Sequence, residues 1–304
     1  MLAIAAVFSL LASVGVLARR AYFATPSKTR VAQELPASLS SPSKEYIYAG
    51  GRLVATEEPA HGTNTVGLYN PAGAAFFLRN SNDGGVADIT FTYGPTNLTP
   101  IVGDWNGDGV DTIGLYNPAG AAFFLRNTNT GGVADVTFTF GPAGSGFKPI
   151  VGDWNGDGVD TIGLYDPANA AFFLRNTNTG GVADVTFTYG PAGLGFMPLT
   201  GDWNGDGIDT IGLYNPAGAA FFLRNSNTGG VADVTFTFGP DGSGFIPLAG
   251  DWDGDGVDTI GLYNPAGATF FLRNTNTGGV ADVTFTFGPA GSGFIPLAGD
   301  WNGQ

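Results

Sequence analysis

Several residue types that carry chemistry are scarce or missing in this chain of 304 residues. It contains no cysteine, which excludes a disulfide framework, a thiolate metal site and a cysteine nucleophile. The single histidine, His61, precedes the repeated part of the chain, and no serine lies in a Gly-x-Ser-x-Gly elbow. We therefore expect no catalytic residues and no enzyme activity.

Basic residues are also few. Twelve Lys and Arg are set against 26 Asp and Glu, which gives a formal net charge of −14. So few cations, spread along the chain, cannot offset the repulsion between an acidic protein and phosphate groups. Binding to nucleic acid is not expected.

The N-terminus holds the one long apolar run, from Leu2 to Ala18, followed by Arg19 and Arg20. Its length is typical of a signal peptide or a short membrane anchor, although no basic residues precede it. We predict an apolar helix within residues 1–24 and a secreted or cell-surface protein that meets the membrane through this segment alone. A buried core helix is the alternative.

Residues 25–59 are predicted to form a linker that contains a short hairpin. Their first part is polar with scattered proline and serine, and KEYIYAGGRLVATEEP follows. This stretch, near residues 44–59, resembles the closing segment of Rhs/YD-repeat surface proteins, in which two short strands flank a glycine turn. The resemblance implies a hairpin in a surface-associated protein.

Glycine is abundant, at 50 residues, and the rest of the chain is a repeat. Leu68, Leu115, Leu164, Leu213 and Leu262 are equivalent, so the steps are 47, 49, 49 and 49 residues. Each unit offers four apolar segments separated by turn signals, as in TIGLYN, AFFLRN, DVTFTFG and FKPIVGDW. The sequence predicts an all-β protein, a β-propeller of five four-stranded blades of about 49 residues over 60–304.

The two ends of the repeat region complement each other. The first unit begins at GTNTVGLYN without an acidic loop before it, and the last breaks off at GDWNG without a strand after it. Joined head to tail they restore one motif, so we predict a closed ring in which the last segment completes the first blade. A fragment of a longer array is the alternative.

The string GDWNGDG carries the candidate metal ligands. In the copy from Asp104, side-chain oxygens occupy positions 1, 3 and 5, glycine follows at position 6, and the carbonyl of Val110 comes at position 7. Ca²⁺ takes about six to eight hard oxygen ligands, and this spacing directs alternate side chains to one point. Alternatively, the acids hydrogen-bond their own backbone in Asx-turns and hold no metal.

These repeats resemble the FG-GAP/VCBS family, the integrin-α-like propellers, whose calcium loop Asp-x-Asn/Asp-x-Asp-Gly-x-x-Asp connects blades. The resemblance implies structural Ca²⁺ in the loop. Thr112 stands where the family has its final acid, so either Asp111, one place earlier, closes the shell or the metal is held weakly. The predicted ligands are Asp104, Asn106, Asp108, Val110 and Asp111; Asp153, Asn155, Asp157, Val159 and Asp160; Asp202, Asn204, Asp206, Ile208 and Asp209; and Asp251, Asp253, Asp255, Val257 and Asp258. In the broken last copy Asp300 and Asn302 match, and Gln304 replaces the third acid.

Three further features recur in each unit. The motif tryptophans, such as Trp105, are either sugar-stacking platforms or buried anchors, and the position of each beside a turn favours anchors. The arginines that end the FFLRN strands, such as Arg126, either line a ligand surface or pair with an acid such as Asp135. The NTNT loops offer polar contacts to sugars or proteins, or are ordinary solvated loops.

Near-identical units present one surface several times, which suits multivalent binding better than catalysis. The sequence predicts recognition or adhesion at the cell surface through a glycan or protein ligand. Two alternatives are a noncatalytic module of a larger carbohydrate-active enzyme or toxin and a purely structural surface repeat. The architecture is also similar to that of five-bladed tachylectin-type lectins.

Overall fold

The structure is a computed structural model that describes residues 62–303 in full and the backbone of residues 45–49 and 52–57. The predicted N-terminal helix lies outside the described residues. Within the described part, no helix is long and apolar enough to cross a membrane. The linker segment contains an antiparallel pair, β1 (Glu45–Ala49) and β2 (Arg52–Glu57).

The described residues of the repeat region form five four-stranded antiparallel sheets, the blades of a propeller. The first blade, in order from the centre outward, is β22 (Ile295–Gly299), β3 (Thr65–Asn70), β4 (Ala75–Leu78) and β5 (Ile89–Thr92). The second is β6 (Thr99–Gly103), β7 (Thr112–Asn117), β8 (Ala122–Leu125) and β9 (Val136–Thr139). The third is β10 (Lys148–Gly152), β11 (Thr161–Asp166), β12 (Ala171–Leu174) and β13 (Val185–Thr188). The fourth is β14 (Met197–Gly201), β15 (Thr210–Asn215), β16 (Ala220–Leu223) and β17 (Val234–Thr237), and the fifth is β18 (Ile246–Gly250), β19 (Thr259–Asn264), β20 (Thr269–Leu272) and β21 (Val283–Thr286). The predicted all-β fold of five four-stranded blades is confirmed.

The ring closes through the first blade. β22, from the end of the chain, pairs with β3 in a register that places Gly299 opposite Thr65. The innermost strand β22 also lies beside β18 and β6, the innermost strands of the adjacent blades. The predicted head-to-tail closure is therefore present in the fold.

Burial follows the position of each strand in the blade. The second strand packs on both faces, so β7 buries every residue from Thr112 to Tyr116. The outermost strand β9 alternates half-buried Val136 and Phe138 with exposed Thr137 and Thr139. The innermost strand pairs on one side only, and proline is tolerated at its second position for that reason, as at Pro100 in β6.

The core is divided among the blade junctions. Between the third and fourth blades, Trp154, Tyr165 and Phe172 pack against Ile211 and Leu213 of the next blade. The same arrangement recurs at the other junctions. Because every blade buries one face against its neighbour, the hydrophobic effect favours a closed ring over separate blades.

Candidate functional site

The acidic loops join the first and second strands within one blade. The loop that begins at Asp104 runs from β6 to β7, which belong to the same sheet. We expected these loops between blades because the family resemblance places them there. The blade boundary instead falls at the glycine-rich segment after the outermost strand, so the loops gather at one end of the central axis.

Each loop is closed by its first carboxylate. Asp104 Oδ1 accepts the N–H groups of Gly107 at 2.8 Å and Asp108 at 3.2 Å, and Oδ2 accepts that of Gly109 at 2.7 Å. Asp108 Oδ1 accepts the N–H of Val110 at 3.0 Å. The loops from Asp153, Asp202 and Asp251 repeat these contacts. These are the hydrogen bonds of the Asx-type turn that we gave as the alternative, and the metal-ligand assignment of the same residues stays a prediction.

The loop from Asp251 is the most acidic of the set. In the loops from Asp104, Asp153 and Asp202 the third position is an asparagine whose amide donates to the acid two residues on, at 2.9 to 3.0 Å. Here it is Asp253, and carboxylate oxygens of Asp251, Asp253 and Asp255 lie within 4.8 Å of one another. Partial burial raises the pKa of Asp253, and the charges of Asp255 and Asp251 raise it further.

Two amide oxygens without a hydrogen-bond partner among the described residues belong to asparagines beside this loop. Asn274 hydrogen-bonds with Asp253, and Asn276 donates to the carbonyl of Asp258 at 2.8 Å. The Oδ1 atoms of both are buried and unpaired. Equivalent asparagine oxygens are unpaired in other blades, as at Asn127 and Asn129, so it is the three carboxylates of Asp251, Asp253 and Asp255 that fit a cation such as Ca²⁺.

The fifth loop is assembled from both ends of the repeat region. Asp300 Oδ1 accepts the N–H groups of Asn302 at 3.2 Å and Gly303 at 2.8 Å. Gly62 lies against the same carboxylate, since a Cβ at this glycine would come within 1.7 Å of Asp300 Oδ2. Gly62 stands two residues before Asn64, as Gly109 stands two residues before Asp111, but a Cβ at Gly109 would meet nothing within 4 Å. Gln304 lies outside the described residues.

The last acid of each loop turns away from its own loop. Its Oδ2 accepts, at 2.8 Å, the backbone N–H of the first loop acid in the preceding blade. The pairs, with the acceptor first, are Asp111 with Asp300, Asp160 with Asp104, Asp209 with Asp153, and Asp258 with Asp202. The backbone N–H of each acceptor residue donates back to the carbonyl of its partner at 2.7 to 2.8 Å. The assignment of these acids as closing metal ligands stays a prediction, and in the structure their Oδ2 atoms join adjacent blades.

The fifth position of this ring is Asn64. Its Oδ1 accepts the N–H of Asp251 at 2.7 Å, and its own N–H donates to the carbonyl of Asp251 at 2.7 Å. Its amide nitrogen also donates to Asp111 Oδ2 at 3.4 Å. We call Asn64, Asp111, Asp160, Asp209 and Asp258 the axial ring.

The axial ring carries the most perturbed acids of the described residues. Burial raises the pKa of Asp111 and of Asp209 to about 7. Burial also raises the pKa of Asp160 and of Asp258 well above the usual range, and repulsion from Asp209 raises both further. These four acids are close enough to oppose one another's ionisation.

The predicted carbonyl ligands at Val110, Val159, Ile208 and Val257 stay a prediction. The side chains of these residues pack on the loop of the preceding blade. Val110 Cγ2 lies 3.1 Å from where a Cβ at Gly303 would stand, and Val159 Cγ2 lies 3.2 Å from the corresponding point at Gly107. Adjacent loops are therefore in contact around the axis.

The tryptophans are buried anchors. Trp105, Trp154, Trp203, Trp252 and Trp301 are 3 to 6% exposed. A ring so enclosed cannot offer a face to a sugar, and it stabilises the junction between blades instead.

The strand-end arginines bind within their own loops. Arg126 Nη1 donates to Asp135 Oδ2 at 2.9 Å and to the carbonyl of Val133 at 2.7 Å, and Nη2 donates to the hydroxyls of Thr128 and Thr130. Asn129 of the same loop donates to the carbonyl of Asp111 at 2.8 Å. The arginine therefore stabilises the NTNT loop, and that loop supports the acidic loop beside it.

A second candidate site lies between blades. At the junction of the third and fourth blades a cavity of about 450 Å³ is lined by Tyr189, Gly190, Pro191, Phe196, Phe222 and Val231, among others. The next junction has a cavity of about 430 Å³ with Phe238, Gly239, Pro240, Phe245, Phe271 and Val280 in the equivalent places. We call these the interblade pockets.

Two phenylalanines from different segments stack in these pockets. The ring centroids of Phe196 and Phe222 are 5.8 Å apart, and those of Phe245 and Phe271 are 5.7 Å apart. Equivalent stacked pairs occur between Phe147 and Phe173 and between Phe294 and Phe77. The connection before β6 is two residues shorter and has Leu98 at the position of Phe147.

The rim of each junction exposes one valine. Val86, Val133, Val182, Val231 and Val280 are each 83% exposed, although each follows the glycine pair of an NTNT-type loop. Two of these valines, Val231 and Val280, line the cavities described above.

The interblade pockets were not predicted from the sequence. The phenylalanines were predicted only as strand residues, and the valine after the glycine pair was given no role. The signal was present in the sequence, because a loop that is otherwise polar keeps an apolar residue at one position in all five units.

No family model matches the chain, and no curated protein matches it in sequence. The resemblance to FG-GAP/VCBS repeats therefore stays a prediction. A solved lectin structure from Agrocybe aegerita, described as recognising non-reducing terminal N-acetylglucosamine, is similar to this chain with a TM-score of 0.40 and 16% identity. The similarity covers 65% of this chain and 56% of the lectin chain, little more than half of its length.

Proposed function

We propose that this protein is a multivalent recognition module that binds glycans in its interblade pockets. The observation that supports the proposal is the presence of the same concave site at two adjacent junctions, with an aromatic wall and an exposed valine at its rim, and of equivalent stacked phenylalanines at two more. Cavities of about 300 to 1,000 Å³ are usual for small ligands, and both measured pockets fall in that range.

The chemistry of the pocket wall favours a neutral ligand with an apolar face. No charged side chain lines the two pockets measured within the described residues. A sugar ring presents C–H groups on one face and hydroxyls at its edge, so it can pack on phenylalanine while its hydroxyls meet backbone groups and water. An N-acetylated sugar adds a methyl group that suits such a wall.

We propose binding without catalysis. The pocket residues offer no carboxylate pair, histidine or activated nucleophile with which to transfer a proton or attack a bond. Near-identical sites around a ring instead allow several weak contacts to act together on a surface that displays many glycans. The apolar N-terminal run supports a secreted or surface-attached location for such a protein.

The experiment is a titration of the full-length protein with methyl β-glycosides of N-acetylglucosamine, N-acetylgalactosamine, glucose and galactose. In a variant with Phe147, Phe196, Phe245 and Phe294 replaced by leucine, the residue already present at Leu98, we expect each of the four altered sites to lose about threefold to tenfold in affinity, because a stacked ring is worth about 0.5–1.5 kcal/mol. Leu194→Ser is the control, since serine occupies this place in other connections, as at Ser145. A wild-type protein that binds none of these sugars, or a leucine variant that binds as well as wild type, would contradict the proposal.

We also propose that Ca²⁺ stabilises the acidic loops, with Asp251, Asp253 and Asp255 as the best-equipped set. Bound there, the ion would supply positive charge that relieves the repulsion among the three carboxylates. The loops from Asp104, Asp153 and Asp202 would hold it with two carboxylates and an amide oxygen. Because all these loops touch around the axis, an ion in one loop also stiffens its neighbours.

Thermal unfolding in EDTA and in a calcium titration tests this second proposal. We expect the midpoint to rise by about 5 °C at saturating Ca²⁺. The rise should be lost when Asp108, Asp157, Asp206 and Asp255 become asparagine, which can still accept the backbone N–H bonds. Replacing Asp135, Asp184, Asp233 and Asp282 by asparagine removes the same charge elsewhere and should preserve the calcium response. A midpoint that does not respond to Ca²⁺ would leave the loops as hydrogen-bonded turns.

A further inference from the structure

The five blade junctions differ at one buried position. The residue that follows each outermost strand is Tyr93, Phe140, Tyr189, Phe238 or Phe287, and each is 4 to 5% exposed. In the two measured pockets this residue is part of the lining, as Tyr189 in one and Phe238 in the other. Two of the five junctions therefore carry a hydroxyl that the other three lack.

The two hydroxyls have no hydrogen-bond partner among the described residues. The Oη atoms of Tyr93 and Tyr189 are both buried and unpaired. A buried polar group left unpaired destabilises a fold by about 1–3 kcal/mol, so such a group is normally satisfied by water or by a ligand. Burial raises the pKa of Tyr189 to about 12, which keeps the phenol neutral and able to donate.

The two junctions that carry a tyrosine at this position also differ in their stacked phenylalanines. The pocket at Tyr189 has the pair Phe196 and Phe222, whereas the junction at Tyr93 has Leu98 in place of the first ring. Phe140, Phe238 and Phe287 stand at junctions that have the ring pair but no hydroxyl. Among the described junctions, only the one between the third and fourth blades combines the hydroxyl with the stacked rings.

From this combination we infer that the pocket between the third and fourth blades is the primary glycan site, in which the pocket wall opens on binding so that the Tyr189 hydroxyl, buried in this structure, donates a hydrogen bond to an oxygen of the bound sugar. The inference rests on the proposed function, since it names one of the interblade pockets as the preferred one. A neutral hydrogen bond of this kind is worth about threefold to tenfold in affinity. The ring should therefore hold one tight site and a set of weaker ones.

The test is calorimetric titration of full-length protein with the methyl β-glycoside of N-acetylglucosamine. The wild-type protein is expected to show one site about threefold to tenfold tighter than the rest. Tyr189→Phe should remove that site while leaving the weak sites in place and without lowering the thermal midpoint, because it removes a buried hydroxyl that has no partner among the described residues. Tyr93→Phe, a matched loss of a hydroxyl at a junction without the ring pair, should leave the tight site unchanged.

A gain-of-function variant completes the test. Phe238→Tyr places a hydroxyl beside the stacked pair of Phe245 and Phe271, so a second tight site is expected. Binding by the wild-type protein that Tyr189→Phe does not alter would overturn this inference and leave the proposed function standing. A wild-type protein that does not bind the glycoside would overturn this inference, and if it also binds none of the other three sugars, the proposed function fails with it.

Discussion

Gly190 shows how closely single residues are fitted at the blade junctions. It opens the connection between the third and fourth blades with φ +81°, and a Cβ at this position would lie 2.3 Å from Leu213 Cδ1. Gly193, three residues later, has a similar φ of +72° but nothing within 4 Å of its missing side chain. A side chain at either position would have a left-handed backbone, but only at Gly190 would it also clash. Comparing substitutions at the two glycines therefore distinguishes the two energetic costs.

We predict that Gly190→Ala destabilises the protein more than Gly193→Ala does. A left-handed conformation costs a non-glycine residue about 1–2 kcal/mol, and both variants lose this amount. Overpacking against Leu213 adds about 1–3 kcal/mol at Gly190 alone. Urea unfolding followed by tryptophan fluorescence measures the difference, and equal unfolding free energies would show that Leu213 moves aside without loss.

At the scale of elements, closure of the ring depends on one strand. β22 supplies the innermost strand of the first blade, and Leu297 and Trp301 from this end of the chain join the core with Tyr69 and Phe76. Without β22 the buried face of β3 would meet water, and its pairing groups would have no partner.

Ending the chain at Pro289 should abolish cooperative thermal unfolding, because the first blade then loses its inner strand and its tryptophan. Ending it at Trp301 keeps β22 and that side chain, so this variant serves as the control and should unfold cooperatively. Far-ultraviolet circular dichroism during heating distinguishes the two. If the shorter chain melts at the temperature of the control, β22 does not close the ring.

At the scale of the whole molecule, the axial ring joins all five blades by hydrogen bonds. It also buries four carboxyl groups, and burial makes their ionisation unfavourable. Carboxyls such as Asp111 and Asp209 titrate near 3.9 in an unfolded chain and near 7 in this fold. Between these values the folded protein keeps protons that the unfolded chain has released. The stability that this proton binding contributes is complete below about pH 4 and is lost as the pH rises through about 7.

We therefore predict that, in EDTA, the unfolding free energy falls from pH 4.5 to pH 7.5, by up to about 1.4 kcal/mol per pH unit for each retained proton. Asp160→Asn should weaken this dependence and stabilise the protein at pH 8 by on the order of 1 kcal/mol. Asparagine can make the required bond, as Asn64 does with the N–H of Asp251 at 2.7 Å.

Asp184→Asn is the charge-matched control, because Asp184 pairs with Arg175 at 2.9 Å away from the axis. It should leave the slope between pH 4.5 and 7.5 unchanged. A wild-type stability that is flat or rises over this range would mean that the axial acids are ionised without penalty in the fold.

Much of the architecture followed from the sequence alone. Repetition of Leu68 and its four equivalents at a nearly constant step predicted five blades, since each unit contains four strands and cannot bury its apolar faces by itself. The unmatched ends around Gly62 and Asp300 likewise predicted closure, because a half motif at each end is complete only when both meet. Local pattern and periodicity determine such features.

Contacts between blades were decided by the tertiary structure. Asp111 and Asp104 look alike as acids in one loop, yet Asp111 accepts a hydrogen bond from the preceding blade while Asp104 closes its own turn. Phe196 and Phe222 meet only after two blades pack, which is why the interblade pocket was not found in the sequence. The turn NPAGA also differs from local preference. Positive φ is expected at its glycine, but the next residue, Ala121, adopts it instead. The sequence determined the blades because, apart from the pairing of β22 with β3, their hydrogen bonds join strands that follow one another in the chain. The pockets and the axial ring depend on distances between units, which no spacing along the chain encodes.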